Sequence, residues 1–160
     1  MTDRLSRERR SWNMSRIRSR DTQPEKQVRS ALHRAGYRFR LRSKKLPGSP
    51  DVVLPKYHTA VFVHGCFWHR HPGCRFSTTP ATNESFWKKK FDANRDRDKR
   101  NKRALRMMGW RVFVIWECQT ARLRCLERLR DQIRHGMSTR PSSRLSRSAR
   151  TRTQAARPRS

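Results

Sequence analysis

The chain has 160 residues and carries 41 Lys+Arg against 12 Asp+Glu, a net charge of +29 at neutral pH. That length suits one domain of ordinary size and excludes two large ones, while so strong a positive charge points to a polyanionic partner, nucleic acid first. The longest apolar runs, residues 60–63 and 112–116, fall far short of a membrane span, and residues 1–20 contain no signal-like apolar stretch, so a soluble intracellular protein is expected.

Residues 1–20 read as a basic arm in which Trp12, Met14 and Ile17 are interspersed among Arg, a segment expected to order on a partner. Thr22-Gln23-Pro24-Glu25 has the form of a capping box, with Thr22 as N-cap, Pro24 in the first turn and Glu25 three residues after the cap. The helix it starts carries Val28, Ala31, Leu32 and Ala35 on one face, and Gly36 is placed to end it. Three extended segments follow: residues 37–42 with alternating apolar positions, 51–54 after the turn Pro47-Gly48-Ser49-Pro50, and the β-branched, aromatic run 59–64. A long helix over residues 83–108 stops at Gly109, residues 111–116 form an apolar strand in which Phe113 and Trp116 read as core with Trp110 before it, and residues 122–134 form an amphipathic helix with Leu123, Leu126, Leu129 and Ile133. This order predicts an α/β fold in which a small mixed sheet is flanked by helices, as one domain over residues 21–136. Residues 137–160 hold seven Arg and no acid, a composition that cannot bury a core, and are expected to be a disordered basic tail adding nonspecific phosphate affinity.

The densest chemistry lies in residues 63–74, where three His and two Cys follow a predicted strand. Cys66, His71 and Cys74 offer two sulfurs and one imidazole at spacings suited to tetrahedral Zn²⁺, and Cys118, just beyond the strand at 111–116, is the natural fourth ligand. Four cysteines in a chain of intracellular character favour metal or free thiols over disulfides. Cys125 competes weakly for the site and reads instead as a small hydrophobe of the last helix. Asp51, entering one strand beside the end of another, can hold a hard cation such as Mg²⁺, although an Asp after a Pro is also common turn chemistry. His64 and His69 nearby add groups that exchange protons near neutral pH, and a metal carboxylate with His beside a basic surface is a phosphodiesterase arrangement.

Over residues 11–134 the chain resembles the very-short-patch repair (Vsr-type) DNA mismatch endonucleases of bacteria. The resemblance rests on Asn13-Met14, Arg20-Asp21-Thr22 with Glu25-Lys26, Leu46-Pro47-Gly48 with Pro50-Asp51, His64-Gly65-Cys66-Phe67-Trp68-His69, Phe86-Trp87, Gly109-Trp110-Arg111-Val112 with Val114, and Trp116-Glu117-Cys118. It implies a restriction-endonuclease-like fold and nicking of double-stranded DNA on the 5′ side of the thymine in a thymine·guanine (T·G) mismatch, the lesion left by deaminated 5-methylcytosine. By the same resemblance Asp51 is the magnesium carboxylate, the Val63 backbone carbonyl its second protein ligand, His69 and His64 flank the scissile phosphate, and Glu25 is a supporting acid, although a capping-box Glu has a structural reason to be there. The family's zinc residues fall on Cys66, His71, Cys74 and Cys118, with Pro72-Gly73 giving a gap before Cys74 that differs by one from some relatives.

Phe67, Trp68 and Trp87 correspond to the family's aromatic wedge that enters the base stack; the plainer alternative is ordinary core aromatics. Trp87, Lys90 and Asn94 at i, i+3 and i+7 share one helix face, combining a ring, a phosphate-seeking cation and a base-edge amide. The charge mixture over residues 95–103 reads as a solvated face. Met14 joins these residues as a DNA contact by the same resemblance, which also implies a monomer, a cytoplasmic, nucleoid-associated setting and mismatch-repair proteins as further partners. A zinc-stabilised nucleic-acid binding module without catalysis is the competing reading, and a nuclease of this fold lacking mismatch preference is a third.

Overall fold

A computed structural model describes Ser6, Arg9, Trp12 and residues 20–135; the rest of the expected arm, Met14 included, and the expected tail from Met137 lie outside the described residues. Helix α1, Gln23–Arg34, starts where the capping box predicts: Thr22 Oγ1 accepts from the Glu25 N–H at 3.5 Å. The reciprocal arm differs, because the Glu25 carboxylate accepts from the N–H of Asp21 at 3.2 Å, one residue before the cap. Gly36, at φ +81°, closes the helix, and the Tyr37 N–H returns to the Leu32 carbonyl at 3.1 Å.

The sheet runs in the order β1 (Arg40–Leu41), β2 (Val52–Leu54), β3 (Thr59–His64), β4 (Arg111–Trp116). β1–β2 and β2–β3 are antiparallel and β3–β4 is parallel, so the sheet is mixed as expected. A parallel neighbour needs a long crossover, and residues 65–110 supply it with α2, Glu84–Met107. Two further helices follow β4: α3, Glu117–Thr120, and α4, Leu123–His135. α1 and α4 pack on one sheet face with Val28, Leu32, Val61 and Ile133 at the centre, while the other face is covered by α2 through Leu105 against Ala60 and Phe62. No helix among the described residues is long and apolar enough to cross a membrane.

Three expectations need correction. The strand expected over 37–42 shrinks to two exposed residues, because Tyr37 turns into the core and its hydroxyl donates to the Arg130 carbonyl at 3.1 Å. Leu123, assigned to the apolar face of the last helix, is 72% exposed, since it is the first residue of α4 and the buried stripe begins at Leu126. Trp110 and Phe113 do pack against the core, but half-buried Trp116 is a platform, its ring stacked on that of His71 at 4.2 Å.

Candidate active site and metal centre

Register brings the Cys/His cluster together. The parallel pair aligns His64 with Trp116, so β3 and β4 end side by side, and Cys66 and Cys118, each two residues further on, leave the sheet as neighbours. The loop after β3 then folds back: the His71 N–H donates to the Cys66 carbonyl at 3.0 Å, and the Cys66 N–H is held by Glu117 Oε2 at 3.3 Å. His71 Nδ1 lies 3.6 Å from Cys66 Sγ and 3.3 Å from Cys118 Sγ, and the ligand atoms of Cys66, His71, Cys74 and Cys118 all fall within 4.8 Å of one another. Burial pushes the Cys66 thiol up to about 12, whereas the Phe76 N–H lowers that of Cys74. Four donors of this kind can hold one metal ion. Cys125 stands apart from them, a half-buried residue of α4 rather than a fully buried one.

On the other side of β3, antiparallel pairing of Val52 with Val61 sets Asp51 beside the end of that strand, where its Oδ2 accepts from the Val63 N–H at 2.7 Å. Burial raises the Asp51 carboxyl above the ordinary carboxylate range; the Val63 N–H works against that rise and the charge of Glu25 adds to it. Glu25 is itself buried and its Oε2 takes Arg29 at 2.6 Å and Arg42 at 3.1 Å, while Oε1 takes the Thr22 hydroxyl at 3.0 Å. It is thus both cap and clamp, and its cationic partners also act on Asp51.

His64 and His69 stack face to face at 3.9 Å. His64 is buried, which together with the neighbouring His69 pushes its imidazole down to about 3, so it is neutral at physiological pH. His69 Nδ1 lies 2.5 Å from Asp98 Oδ2, a hydrogen-bond partner hidden in the stretch read as a solvated face. Burial opposes ionisation of Asp98, but the His69 hydrogen bond and the positive groups around it, Arg97 among them, together hold the carboxyl below its usual value. The helix pattern carries the signal for Asp98: Trp87, Phe91, Asn94, Asp98, Asn101 and Leu105 recur at spacings of four and three, and all are at least partly buried in a helix otherwise dominated by exposed charge.

That inward face also alters the expected contact set. Lys90 points to solvent, while Asn94 is largely buried and donates one amide N–H to the Trp68 carbonyl at 3.1 Å, which braces the loop from inside. Phe67 packs edge-to-face on Trp68, Trp87 and Phe91 at 5.0–5.4 Å, forming one half-exposed aromatic cluster that Phe86 extends outward. Phe86 and Phe91 were not among the expected site residues.

A family model described as DNA mismatch endonuclease Vsr matches residues 2–75. Among curated proteins, the type II nicking enzyme V.XorIIP of Xanthomonas oryzae pv. oryzae is 54% identical over 132 residues, covering 82% of this chain and 96% of that protein. The type II nicking enzyme V.NmeAIP of Neisseria meningitidis is 42% identical over 135 residues, covering 84% and 96%. The DNA mismatch endonuclease Vsr of Escherichia coli is 44% identical over 123 residues, covering 77% and 76%.

Proposed function

The chain belongs to the DNA mismatch endonuclease Vsr family, whose fold is restriction-endonuclease-like, and from that membership and the geometry of the site we propose that it is a metal-dependent endonuclease nicking double-stranded DNA 5′ of the thymine in a T·G mismatch. One observation carries the reading: Asp51 holds the Val63 N–H at the end of β3, and the next residue along, neutral His64, stacks on the Asp98-bound His69. With its Nδ1–H donating to Asp98, His69 leaves Nε2 free to accept a proton from an attacking water. His64 flanks the phosphate as a neutral hydrogen-bond donor. Glu25 is the supporting acid, acting through Arg29 and Arg42. The attack on phosphorus leaves a 3′-hydroxyl and a 5′-phosphate.

The hard oxygen donors suit Mg²⁺, with Asp51 and the Val63 carbonyl oxygen as protein ligands; bound there, the ion would stabilise the extra negative charge of the transition state. Zn²⁺ suits the Cys66, His71, Cys74, Cys118 set. Tetrahedral bond lengths of about 2.3 Å to sulfur and 2.05 Å to nitrogen place a sulfur about 3.6 Å from a nitrogen, close to the 3.6 and 3.3 Å separations around His71. Bound there, the ion would tie the ends of β3 and β4 to the loop that follows β3, a structural role. Phe67, Trp68 and Trp87 form the wedge that opens the stack at the weakly stacked mismatch, braced by Asn94; Lys90 and Met14 contact the DNA. The protein acts as a cytoplasmic monomer, with mismatch-repair proteins as further partners.

End-labelled T·G and T·A duplexes, incubated with and without added Mg²⁺, test this. A single nick in the thymine strand of the T·G duplex, dependent on Mg²⁺, is expected. Binding to both duplexes with no nick in either would support the non-catalytic binding module, and equal nicking of both would remove mismatch preference.

A further inference from the structure

Most cations of α2 point to solvent, but Lys102 does not. It is half-buried and lines a cleft of about 340 Å³ with His64 and His69. It has no hydrogen-bond or ion-pair partner among the described residues. Asp98, one helical turn earlier, is already engaged by His69 at 2.5 Å and by Arg97 at 3.9 Å. Arg97 and Lys102 therefore face this cleft against a single carboxylate, so its wall carries an excess of positive charge that a bound anion would balance.

The opposite wall is built to a set width. Gly48, at φ +73°, and Ser49, at φ +47°, carry the chain into Asp51 by a left-handed turn pressed against α2. A Cβ on Gly48 would come within 2.8 Å of Asn101 Nδ2, so only glycine allows this approach. Half-buried Asn101 likewise has no hydrogen-bond partner among the described residues, which leaves an amide donor beside the ammonium.

The geometry points to this cleft as a phosphate subsite, in which Lys102, with Arg97 and Asn101, grips a backbone phosphate of the strand being cut, next to the one flanked by His64 and His69. The inference rests on the nuclease reading for which strand lies there, while the anion-binding chemistry is independent of cleavage. Lys102 is then a positioning residue: it anchors the strand so that the neighbouring phosphate meets His69. Because a phosphate carries no sequence information, the contact strengthens binding to T·G and matched duplexes alike.

The test is a binding titration by fluorescence polarisation, with no Mg²⁺ added. The probes are T·G duplexes in which each phosphate of the central region is replaced in turn by a neutral methylphosphonate. Wild type is compared with Lys102→Met, which keeps the aliphatic stem, and with Lys56→Ala, a charge deletion at the far end of the β2–β3 hairpin. Replacing one phosphate beside the nick position should weaken wild-type binding about 5- to 20-fold. Lys102→Met should bind the unmodified duplex weaker by a similar factor and lose its sensitivity at that one phosphate, keeping it elsewhere. Lys56→Ala should keep the whole wild-type pattern. If Lys102→Met retains sensitivity at every phosphate, or if Lys56→Ala loses the same one, the subsite is overturned. Adding Mg²⁺ to the wild-type samples and scoring nicks tests the nuclease reading separately: absence of nicking would reject that reading without altering the phosphate map.

Discussion

Replacing Asp98 by Asn keeps the shape of the side chain and removes its charge. In the folded protein Asp98 Oδ2 lies 2.5 Å from His69 Nδ1, with its side chain 13% exposed, so solvent does little to replace the lost partner. A hydrogen bond to a charged group at such a site contributes about 1.5–3 kcal/mol. If that contribution is realised when His69 takes a proton in the transition state, the nicking rate should fall by about 10- to 150-fold. An Asn that turns its amide toward Nδ1 would in addition force the proton onto Nε2, and the loss would then be larger. Binding should be nearly unchanged, because Asp98 faces the imidazole and carries the wrong sign for a phosphate. The assay is single-turnover nicking of a T·G duplex at saturating protein, with the dissociation constant measured in parallel. Asp96→Asn, an exposed acid on the outer face of α2, serves as the control and should nick at the wild-type rate. The same bond shows in stability. The Asp98 carboxyl is held below its ordinary value, so its contribution is present above the unfolded Asp range and lost only as pH falls through the lowered value. Asp98→Asn should therefore melt lower than wild type at pH 7, with the gap closing in strong acid. A rate within threefold of wild type, or a loss confined to binding, would refute the role assigned to the His69–Asp98 pair.

His64 is neutral and buried with its imidazole pushed down to about 3, so protonating it in the folded state costs free energy that grows as pH falls from about 6.5 toward that value. His64→Gln should flatten this acid-side loss of melting temperature between pH 6.5 and 4; a melting profile parallel to wild type would contradict it. Purified protein should contain one zinc per chain by elemental analysis, and Cys118→Ser should lose it together with most of the cooperative melt, whereas Cys125→Ser should change little; metal-free protein with a chelator-insensitive melt would exclude a structural zinc. Trp68→Ala should weaken binding to T·G duplex by about 5- to 150-fold, the worth of one stacked ring, while matched duplex loses much less. Equal losses on both duplexes would mean that the ring only packs against Phe67 and Trp87.

Strands β3 and β4 could be read to the residue because each is a β-branched and aromatic run, and strands that pack against a core leave that local signature. Helix α2 was equally plain in extent, but its inner face was not. Lys and Arg dominate its composition, and only the four–three spacing from Phe91 to Leu105 marks Asp98 and Asn101 as inward. The strand at 37–42 was overread because alternation at Tyr37 and Phe39 also arises when a chain turns its rings into the core without pairing. Helix α3 escaped notice because four residues carry no periodicity; it is set by the Trp116 N–H donating to Gln119 Oε1 at 3.1 Å. Ligand types and spacing proposed the Cys/His set, but nearness of Cys118 to Cys66 is a property of the parallel register between His64 and Trp116, which no local pattern contains. The pairing of Glu25 with Arg42 is likewise a long-range contact, joining α1 to the segment just after β1.

The central claim is that cleavage takes place where Asp51 meets the end of β3. It is tested most directly by comparing wild type with Asp51→Ala on one 5′-labelled T·G duplex under single-turnover conditions with Mg²⁺. Losing the metal carboxylate removes several kcal/mol of transition-state stabilisation, so Asp51→Ala should bind the duplex nearly as wild type does and nick it at least ~10³-fold more slowly. Near-wild-type nicking by Asp51→Ala at the same position would contradict the account, and the reacting centre would have to be sought away from this end of the sheet.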